Sequence, residues 1–344
     1  MTRPGGEALE VLLDRRDLSE NAAYDLLISL TDPAMPHAMS GALLAALRVK
    51  GATAPEVRGF ARAMRSLARQ PRIPAGAPVV DVVGTGGDGS GSLNLSTGSA
   101  LLAAACGMRV AKHGNRSVSS RCGSADVLEA LGLPLPLDET AAAECLERTG
   151  FTFLFAPHYH PAMKALAPVR AALGVRTIFN LLGPLANPAQ APYAVIGAWS
   201  PEIASLMAET LSGMPIVRMF VVHADCGWDE PTPAAPFTLF DVRPGALAVS
   251  RRTAQDFGLP SCSLQELVGG DPAHNAGRLA AVLCGQERGG HRDALVMGAA
   301  LVAEVTGAVA DGSAGAALAA AAIDDGRAAR LLDDLTAGAE RRRA

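Results

Sequence analysis

The chain has 344 residues, of which 49% are hydrophobic and only 4% aromatic, and its formal net charge is −4. The negative charge and the lack of a basic stripe argue against nucleic acid as a partner, and no apolar run approaches the roughly 20 residues of a membrane span. No signal-peptide pattern is found and the six cysteines form no CxxC pair, so we expect a soluble cytoplasmic protein with reduced thiols and no membrane partner.

The N-terminal part of the chain has a helical pattern from about residue 7 to residue 69. Residues 18–21 (LSEN) are typical of a helix start, and residues 37–49 place four apolar side chains on one helix face. Prolines and a glycine within residues 71–78 then mark a linker. We therefore predict a small helical domain over residues 1–72, which needs a partner surface to pack on.

Strand-like and helical stretches alternate in the rest of the chain. Buried strands are predicted at 79–83 and 108–111, with a helix of small residues, 98–107, between them. Further on we predict helices around 140–148 and 201–214, strands at 151–155, 194–199 and 216–223, a hairpin at 238–249, and Ala-rich helices over 293–336. The alternation predicts an α/β domain over residues 73–344, with a central, mostly parallel sheet flanked by helices and ligands at the carboxyl ends of its strands.

Two loops rich in small polar residues follow the first two predicted strands. The first, residues 84–97, exposes many backbone N–H groups where side chains are too small to block a ligand. The second, residues 112–120, adds two cations, an imidazole and several hydroxyls, and its Lys112 is one of only three lysines in the chain, with Lys50 and Lys164. Together the loops predict a pocket for a heavily phosphorylated ligand.

Two common phosphate sites fail to account for these loops. Residues 84–89 satisfy G-x-G-x-x-G after a strand, but Asp88 would place a carboxylate among the phosphates of a dinucleotide. Lys112 and His113 also stand where a dinucleotide site has its ribose-binding acid. The G-x-x-x-x-G-K-[ST] pattern of a P-loop does not occur.

The full set of motifs is more specific than either loop alone, and it resembles the anthranilate phosphoribosyltransferase family. The similarity rests on residues 45–51 (AALRVKG), 84–88 (GTGGD), 94–97 (NLST), 112–116 (KHGNR), 123–126 (GSAD), 170–185 (RAALGVRTIFNLLGPL), 229–230 (DE) and 269–271 (GGD). It implies transfer of a phosphoribosyl group from 5-phosphoribosyl 1-diphosphate to anthranilate, with release of pyrophosphate, in tryptophan biosynthesis. It also implies a helical domain completed by helices from about 165–190, and a homodimer formed through that domain.

The resemblance further implies the roles of individual residues. The ribosyl diphosphate site would comprise Gly84, Gly87, Asp88, Ser92, Asn94, Leu95, Ser96, Thr97, Lys112, His113, Gly114, Asn115, Arg116, Ser117, Val118, Ser119, Ser120 and Ser124. Anthranilate would contact Gly84, Asn115 and Arg170, with Arg170 binding its carboxylate. Ser96, Asp229 and Glu230 would bind Mg²⁺ as two ions, and His113, Asn115 and Arg170 are the implied catalytic residues.

The sequence leaves the roles of several histidines and of one arginine open. His113 is the best candidate for handling a proton, but it equally fits a residue that holds its loop by hydrogen bonds. Arg176 could assist Arg170 in binding anthranilate. His158 and His160 stand on either side of Tyr159, a spacing that favours a pocket wall over a metal site.

Two other functions compete with the transferase. A pyrimidine nucleoside phosphorylase would keep the fold, use inorganic phosphate and need no metal-binding Asp229 and Glu230. A non-catalytic paralogue that binds nucleic acid would lack that acidic pair or Asn115 and would carry a basic groove, and neither property is seen in the sequence.

Overall fold

The computed structural model describes residues 5–73, 78–117 and 121–343. Residues 74–77 of the predicted linker lie outside the described residues, as do the predicted ligand-binding residues Val118, Ser119 and Ser120. Within the described part of the chain, no helix is both long and apolar enough to cross a membrane.

Four helices form the N-terminal bundle: α1 (Gly6–Leu13), α2 (Glu20–Leu30), α3 (His37–Lys50) and α4 (Ala54–Leu67). The predicted start of α2 is confirmed, because the Ser19 side chain accepts a hydrogen bond from the Ala22 N–H and caps the helix. Helices α2 and α4 cross closely at Gly59, where a Cβ atom would lie 2.2 Å from the Glu20 carbonyl oxygen. The bundle is therefore held by tight backbone packing as well as by its apolar faces.

A seven-stranded sheet forms the centre of the rest of the chain, in the order β3-β2-β1-β4-β5-β6-β7. The strands are β1 (Val80–Gly84), β2 (Val110–Gly114), β3 (Phe151–Phe155), β4 (Tyr193–Gly197), β5 (Arg218–Ala224), β6 (Phe237–Arg243) and β7 (Ala246–Arg252). Strands β1 to β5 are parallel, while β6 and β7 form an antiparallel hairpin beside β5. The predicted α/β class with a mostly parallel sheet is confirmed.

The remaining helices lie around the sheet. They are α5 (Leu95–Ala105), α6 (Ser124–Ala130), α7 (Glu139–Thr149), α8 (Ala156–Tyr159), α9 (Ala167–Leu173), α10 (Phe179–Leu182), α11 (Pro201–Ser212), α12 (Pro272–Leu283), α13 (Gly290–Val305), α14 (Gly312–Asp324) and α15 (Arg327–Arg343). Short 3₁₀ helices cover Pro161–Leu166, Ala254–Phe257 and Leu264–Leu267. One hydrophobic core contains α5, α13 and α14 on one side of the sheet, and a second joins the other side to the bundle.

The segment that follows β3 packs on the N-terminal bundle. Phe179 of α10 meets Phe60 of α4 edge to face, with 6.2 Å between ring centroids. Val169 of α9 and Leu182 of α10 are buried in the same core as the helices of the bundle. The domain boundary at residue 72 remains a prediction.

The structure corrects two predicted element bounds that matter for function. Helix α5 begins at Leu95 rather than at Gly98, so residues 95–97 form its first turn and not the end of a loop. Strand β2 continues to Gly114, so Lys112 and His113 lie in the sheet. The cause is pairing with β3, in which Lys112 faces Phe153 and His113 faces Leu154.

Candidate active site

Described residues of the predicted donor and metal sites lie at the carboxyl ends of β1 and β2 and in the loop after β5. The sheet order reverses between β1 and β4, and ligands of α/β proteins bind at such a point. Gly84 and Gly197 end β1 and β4, and the loop after β5 brings Asp229 directly over them. A Cβ atom would lie 2.5 Å from Asp229 Oδ2 at Gly84 and 1.4 Å from the Asp229 carbonyl oxygen at Gly197. Glycine at both strand ends is therefore what lets this carboxylate enter the site.

Asp229 and Glu230 are held by donors from the first loop and from α5. Asp229 Oδ2 accepts hydrogen bonds from the Gly86 N–H at 2.5 Å and from Thr85 Oγ1 at 3.3 Å. Glu230 accepts from the Ser96 N–H at 3.0 Å and from Ser92 Oγ at 3.1 Å. The structure thus brings Ser96 to the other two predicted magnesium ligands, Asp229 and Glu230, which lie more than 130 residues later in the sequence.

Asp88 adds a third carboxylate to this cluster, because its Oδ2 accepts from the Asp229 N–H at 3.2 Å. Burial, together with repulsion between the neighbouring carboxylates, raises the pKa of Asp229 to about 7 and that of Glu230 to about 8. Such a cluster of oxygen ligands with excess negative charge fits a hard divalent cation such as Mg²⁺.

The protein provides only part of a metal coordination shell. Among the described residues, no group of three or more His, Cys, Asp or Glu side chains is arranged to hold a metal ion alone. Mg²⁺ is often bound by one or two carboxylates together with substrate phosphates and water, so this incomplete set fits a metal that arrives with its phosphorylated ligand. The space beneath the carboxylates measures about 350 Å³, including its opening to solvent, and it is also lined by Ser96 and Gly84.

Lys112 is a cation close enough to these carboxylates to interact with them. Its side chain is buried, and its ammonium group donates to the Val82 carbonyl and, over 3.3 Å, to Ser96 Oγ. Burial lowers the pKa of Lys112 to about 8, although the charges of Asp81, Glu230 and Asp229 favour its protonated form. The structure therefore places one buried cation beside the first turn of α5.

His113, the neighbour of Lys112 in β2, is also buried. Its Nδ1 lies 3.1 Å from the Gly183 carbonyl oxygen, so Nδ1 is the protonated nitrogen, and Nε2 has no hydrogen-bond partner among the described residues. Burial, together with the nearby His160, lowers the pKa of His113 to about 3. A neutral, buried ring bonded to Gly183 fits a residue that holds the end of β2 better than it fits a strong base.

His160 was predicted only as part of a pocket wall, yet its ring packs beside that of His113 with 5.0 Å between centroids. His160 is buried, and its Nε2 also has no partner among the described residues. His158 lies apart from this pair, with Nε2 at 3.5 Å from a carboxylate oxygen of Glu139. No spacing in the sequence signals the pair, because residues 113 and 160 are brought together only by the fold.

The described residues of the second loop that follow β2, 115–117, are bonded to α6. Asn115 is exposed, and its Oδ1 accepts from the Arg116 N–H at 2.7 Å. The Arg116 guanidinium pairs with Asp126 at 3.0 Å and with Glu129 at 2.7 Å, and these bonds raise its pKa. Asp126 also accepts from the Ser117 N–H at 3.0 Å. Arg116 therefore neutralises protein carboxylates in this structure, whereas the sequence predicted that it counters ligand charge.

Ser124 is the first residue of α6 and is half-buried beside the second loop. Gly114, at the end of β2, faces Ser124 and the Phe153 ring, and a Cβ atom at Gly114 would lie 2.9 Å from that ring. Gly114 can therefore contribute backbone to a ligand site, and a larger residue would displace Phe153.

The first loop is tied to other parts of the chain at several points. Asn94 donates to the Cys122 carbonyl at 3.1 Å and accepts from Asn275 Nδ2 at 2.9 Å. Asn275, which was not predicted, therefore holds Asn94, and Asn94 links the first loop to the residue before Gly123. The side chains of Leu95 and Thr97 are fully buried in the core. Of these two predicted ligand-binding residues, only the backbone can face a ligand.

The two predicted acceptor-side arginines have different environments. Arg170 on α9 is exposed, its guanidinium lies 5.3 Å from the centroid of the Phe179 ring, and it forms no ion pair with any described carboxylate. Arg176 instead donates to the Gly87 carbonyl of the first loop. The Arg170 guanidinium is thus available to an anionic ligand, whereas the Arg176 guanidinium is bonded to the protein backbone.

Two family models match the chain. The model of the glycosyl transferase family, helical bundle domain, covers residues 6–68, and that of the glycosyl transferase family, a/b domain, covers residues 76–329. These ranges correspond to the N-terminal bundle and to the part of the chain that contains the sheet.

Relatives and solved structures match over almost the whole chain. A Chloroflexus aurantiacus protein named anthranilate phosphoribosyltransferase is 44% identical over 96% of this chain and 97% of its own. The Streptomyces coelicolor protein named anthranilate phosphoribosyltransferase 2 is 45% identical over 93% and 95%. The crystal structure of the Thermus thermophilus anthranilate phosphoribosyltransferase matches with a TM-score of 0.90, at 41% identity over 97% and 99%. The Saccharomyces cerevisiae enzyme in complex with PRPP and Mg has a TM-score of 0.88, at 25% identity over 97% of both chains.

Proposed function

Because this chain belongs to the anthranilate phosphoribosyltransferase family, we propose that it transfers the 5-phosphoribosyl group from 5-phosphoribosyl 1-diphosphate to the amine of anthranilate. The products are N-(5-phosphoribosyl)anthranilate and pyrophosphate, an early step of tryptophan biosynthesis. The observation that carries the proposal is the convergence of Ser96, Asp229 and Glu230 beside the buried Lys112, at the carboxyl ends of the central strands.

Ser96, Asp229 and Glu230 would hold Mg²⁺, which we propose binds as two ions together with the diphosphate. The yeast relative solved with PRPP and Mg supports this part of the proposal. When bound, Mg²⁺ would offset the negative charge that develops on the leaving pyrophosphate. The raised pKa values of Asp229 and Glu230 are consistent with carboxylates that need a cation to stay ionised.

The donor half of the site stabilises a leaving group rather than activating a nucleophile. As the bond between C1 and the diphosphate oxygen breaks, positive charge grows on the ribose and negative charge on the pyrophosphate. The backbone N–H groups of Gly87, Gly89 and Gly91 and the N-terminal turn of α5 are suited to bind those oxygens, and the Lys112 ammonium adds a fixed positive charge. Fixed donors of this kind need no reorganisation as the charge develops.

The acceptor half positions an amine whose lone pair is already free at neutral pH. Arg170 would bind the anthranilate carboxylate through two parallel N–H groups, and Asn115 and Gly84 would contact both substrates. His113 would hold the end of β2 in place through its bond to the Gly183 carbonyl, and its low pKa makes it a weak base. The amine nitrogen then bonds to C1 as pyrophosphate leaves, and the nitrogen loses its proton afterwards.

We also propose that two copies associate through the N-terminal bundle, and that the enzyme works in the cytoplasm. The exposed apolar side chains of Leu13 and Val49, at 62% and 75% exposure, support an interface on the bundle. Sedimentation of the purified protein tests the dimer, and substitution of both residues by Glu should shift it to monomers.

The decisive experiment mixes the protein with Mg²⁺, 5-phosphoribosyl 1-diphosphate and anthranilate and follows the loss of anthranilate fluorescence. Loss that requires all three components supports the proposal. Asp229→Ala should reduce turnover far more than it reduces the melting temperature. No loss at any concentration, or phosphate-dependent cleavage of a pyrimidine nucleoside, would reject the transferase and favour a competing function.

A further inference from the structure

Strands β1 and β2 are neighbours in the sheet, but a gap in their backbone pairing follows their first residues. They pair only at Val80 and Val110, whereas β1 pairs with β4, and β2 with β3, along five positions each. The two loops of the site follow these two strands, so the spacing of the strands across this gap in the pairing sets the distance between the loops. Buried backbone groups along such a gap need other hydrogen-bond partners.

Side chains provide those partners. Asp81 Oδ1 accepts from the His113 N–H of β2 at 3.1 Å, and Asp81 Oδ2 accepts from Asn187 Nδ2 at 2.7 Å. The same Asn187 nitrogen donates to the Ala111 carbonyl of β2 at 2.8 Å, and Lys112 donates to the Val82 carbonyl of β1. A buried cluster formed by Asp81, Asn187 and Lys112 therefore spans the gap in both directions.

This cluster connects to both halves of the molecule. Lys112 reaches Ser96 Oγ in the first turn of α5 at 3.3 Å. Asn187 follows Leu185, whose carbonyl accepts from Arg65 Nε of α4 at 2.8 Å. The exposed fraction is 1% for Asp81, 3% for Asn187 and 1% for Lys112, so solvent cannot replace any of these contacts.

We infer that Asp81 is a positioning residue for the donor half of the site. Together with Asn187, it holds β1 and β2 at a fixed separation. Lys112 and the first turn of α5 then face the donor diphosphate. The inference rests on the proposed function. Asp81 itself lies beneath the strands' carboxyl ends, and it acts through His113, Lys112 and Asn187.

The chemistry of the cluster favours a geometric role over a contribution to stability alone. A buried carboxylate carries a desolvation penalty, which its partners offset only when the geometry is good. Apolar side chains of similar volume often stabilise a core equally well. A buried polar network that is fully bonded fixes one arrangement of the groups around it. Here the groups so fixed are the two strands that carry the donor loops.

Asp81→Asn tests the inference because the amide keeps the size of Asp81 but turns one acceptor into a donor that opposes Asn187 Nδ2. Loss of a charged hydrogen bond is worth roughly 1.5–3 kcal/mol, so we expect the KM for 5-phosphoribosyl 1-diphosphate to rise about 10- to 100-fold. The KM for anthranilate should change less than about threefold, which is within the context dependence of such contacts.

Glu304→Gln is the matched control. Glu304 is also a buried carboxylate, bonded by both oxygens to Arg252 on β7, and it lies away from the strands that carry the loops. We expect the control to lower the melting temperature and to leave both KM values unchanged. Equal changes of both KM values in Asp81→Asn, or a loss of kcat alone, would overturn the inference.

Asn187→Leu provides a second variant in case Asp81→Asn does not fold. It removes the Asn187 N–H group that bridges Asp81 and Ala111, and it keeps the Asp81 carboxylate. It should raise the KM for 5-phosphoribosyl 1-diphosphate without raising that for anthranilate. Calorimetric titration of 5-phosphoribosyl 1-diphosphate with Mg²⁺ measures donor binding without turnover. If wild type binds the donor more tightly than both variants but transfers nothing to anthranilate, the positioning role stands and the proposed function fails. Equal donor affinity in wild type and variants overturns the positioning role.

Discussion

Arg176 donates a hydrogen bond from its guanidinium to the carbonyl of Gly87, and so ties the segment after α9 to the first loop. The same guanidinium lies over the Trp199 ring, with 4.6 Å between Cζ and the ring centroid. The backbone carbonyl of Arg176 accepts from Arg48 Nη1 of α3 at 2.6 Å. Contacts therefore run from the N-terminal bundle, through Arg176, to the loop proposed to bind the donor.

Arg176→Met should weaken donor binding, because methionine can still cover Trp199 but offers no donor to Gly87. We expect the KM for 5-phosphoribosyl 1-diphosphate to rise about tenfold, since a hydrogen bond from a charged group is worth roughly 1.5–3 kcal/mol. Steady-state rates with each substrate varied in turn measure this. Arg243→Met, at an exposed position of β6, should leave the rates unchanged. A rise in the anthranilate KM alone would contradict this role of Arg176.

The apolar runs of the sequence were sufficient to predict the sheet. The strand predicted at 79–83 is β1 (Val80–Gly84), and that at 151–155 is β3 as predicted, because Val- and Phe-rich runs between breakers have few other buried conformations. The end of β2 could not be predicted in this way. Lys112 and His113 are polar, and only their pairing with Phe153 and Leu154, some 40 residues later, shows that they belong to the strand.

The site was predictable to the extent that its residues occur in short motifs. The convergence of Ser96 with Glu230 follows from motifs that were visible in the sequence. Asn187 and Asn275 were missed, and the packing of His160 on His113 was not predicted, because each of these contacts joins residues more than 40 positions apart. Arg116 was visible, but its pairing with Glu129 depends on how the second loop folds back on α6.

The Mg²⁺ requirement should become more demanding as the pH falls. Burial and mutual repulsion raise the pKa of Asp229 to about 7 and that of Glu230 to about 8, so protons compete with the metal below pH 8. We expect the Mg²⁺ concentration for half-maximal rate to rise by about tenfold per pH unit for each proton displaced, between pH 8 and 6. Initial rates over a Mg²⁺ series at constant ionic strength test this, and a constant requirement would contradict it.

His113 should reduce stability in acid. Burial lowers its pKa to about 3 from 6.5, so below pH 6.5 the unfolded chain binds a proton that the folded chain does not. The free energy of unfolding of wild type, relative to His113→Gln, should fall by about 1.4 kcal/mol per pH unit from pH 6.5 toward pH 3. Urea unfolding at several pH values measures the difference. A difference that does not vary with pH would show that His113 is protonated equally in both states.

Arg170→Ala should raise the KM for anthranilate and leave that for the donor nearly unchanged. The Arg170 side chain is exposed on α9 and bonded to no described carboxylate, so its removal takes away a ligand contact without leaving a buried charge behind. A bidentate arginine–carboxylate contact is worth roughly 1.5–3 kcal/mol, which corresponds to about a 10- to 100-fold rise. Arg170→Lys should restore only part of the affinity, because lysine lacks the planar fork. A selective rise in the donor KM would reject the assignment.

Gly197→Ala should abolish activity by displacing the metal-binding loop. A Cβ atom at residue 197 would lie 1.4 Å from the Asp229 carbonyl oxygen, so the loop that carries Asp229 and Glu230 must move away from the strand ends. We expect a loss of turnover of more than about 100-fold, because small displacements of aligned groups have effects of this size. Gly277→Ala on α12 is the matched control, since a Cβ atom there meets nothing within 4 Å. The control should keep full activity and gain stability by up to about 1 kcal/mol. Retention of wild-type activity by Gly197→Ala would show that Asp229 does not need its observed position over β4.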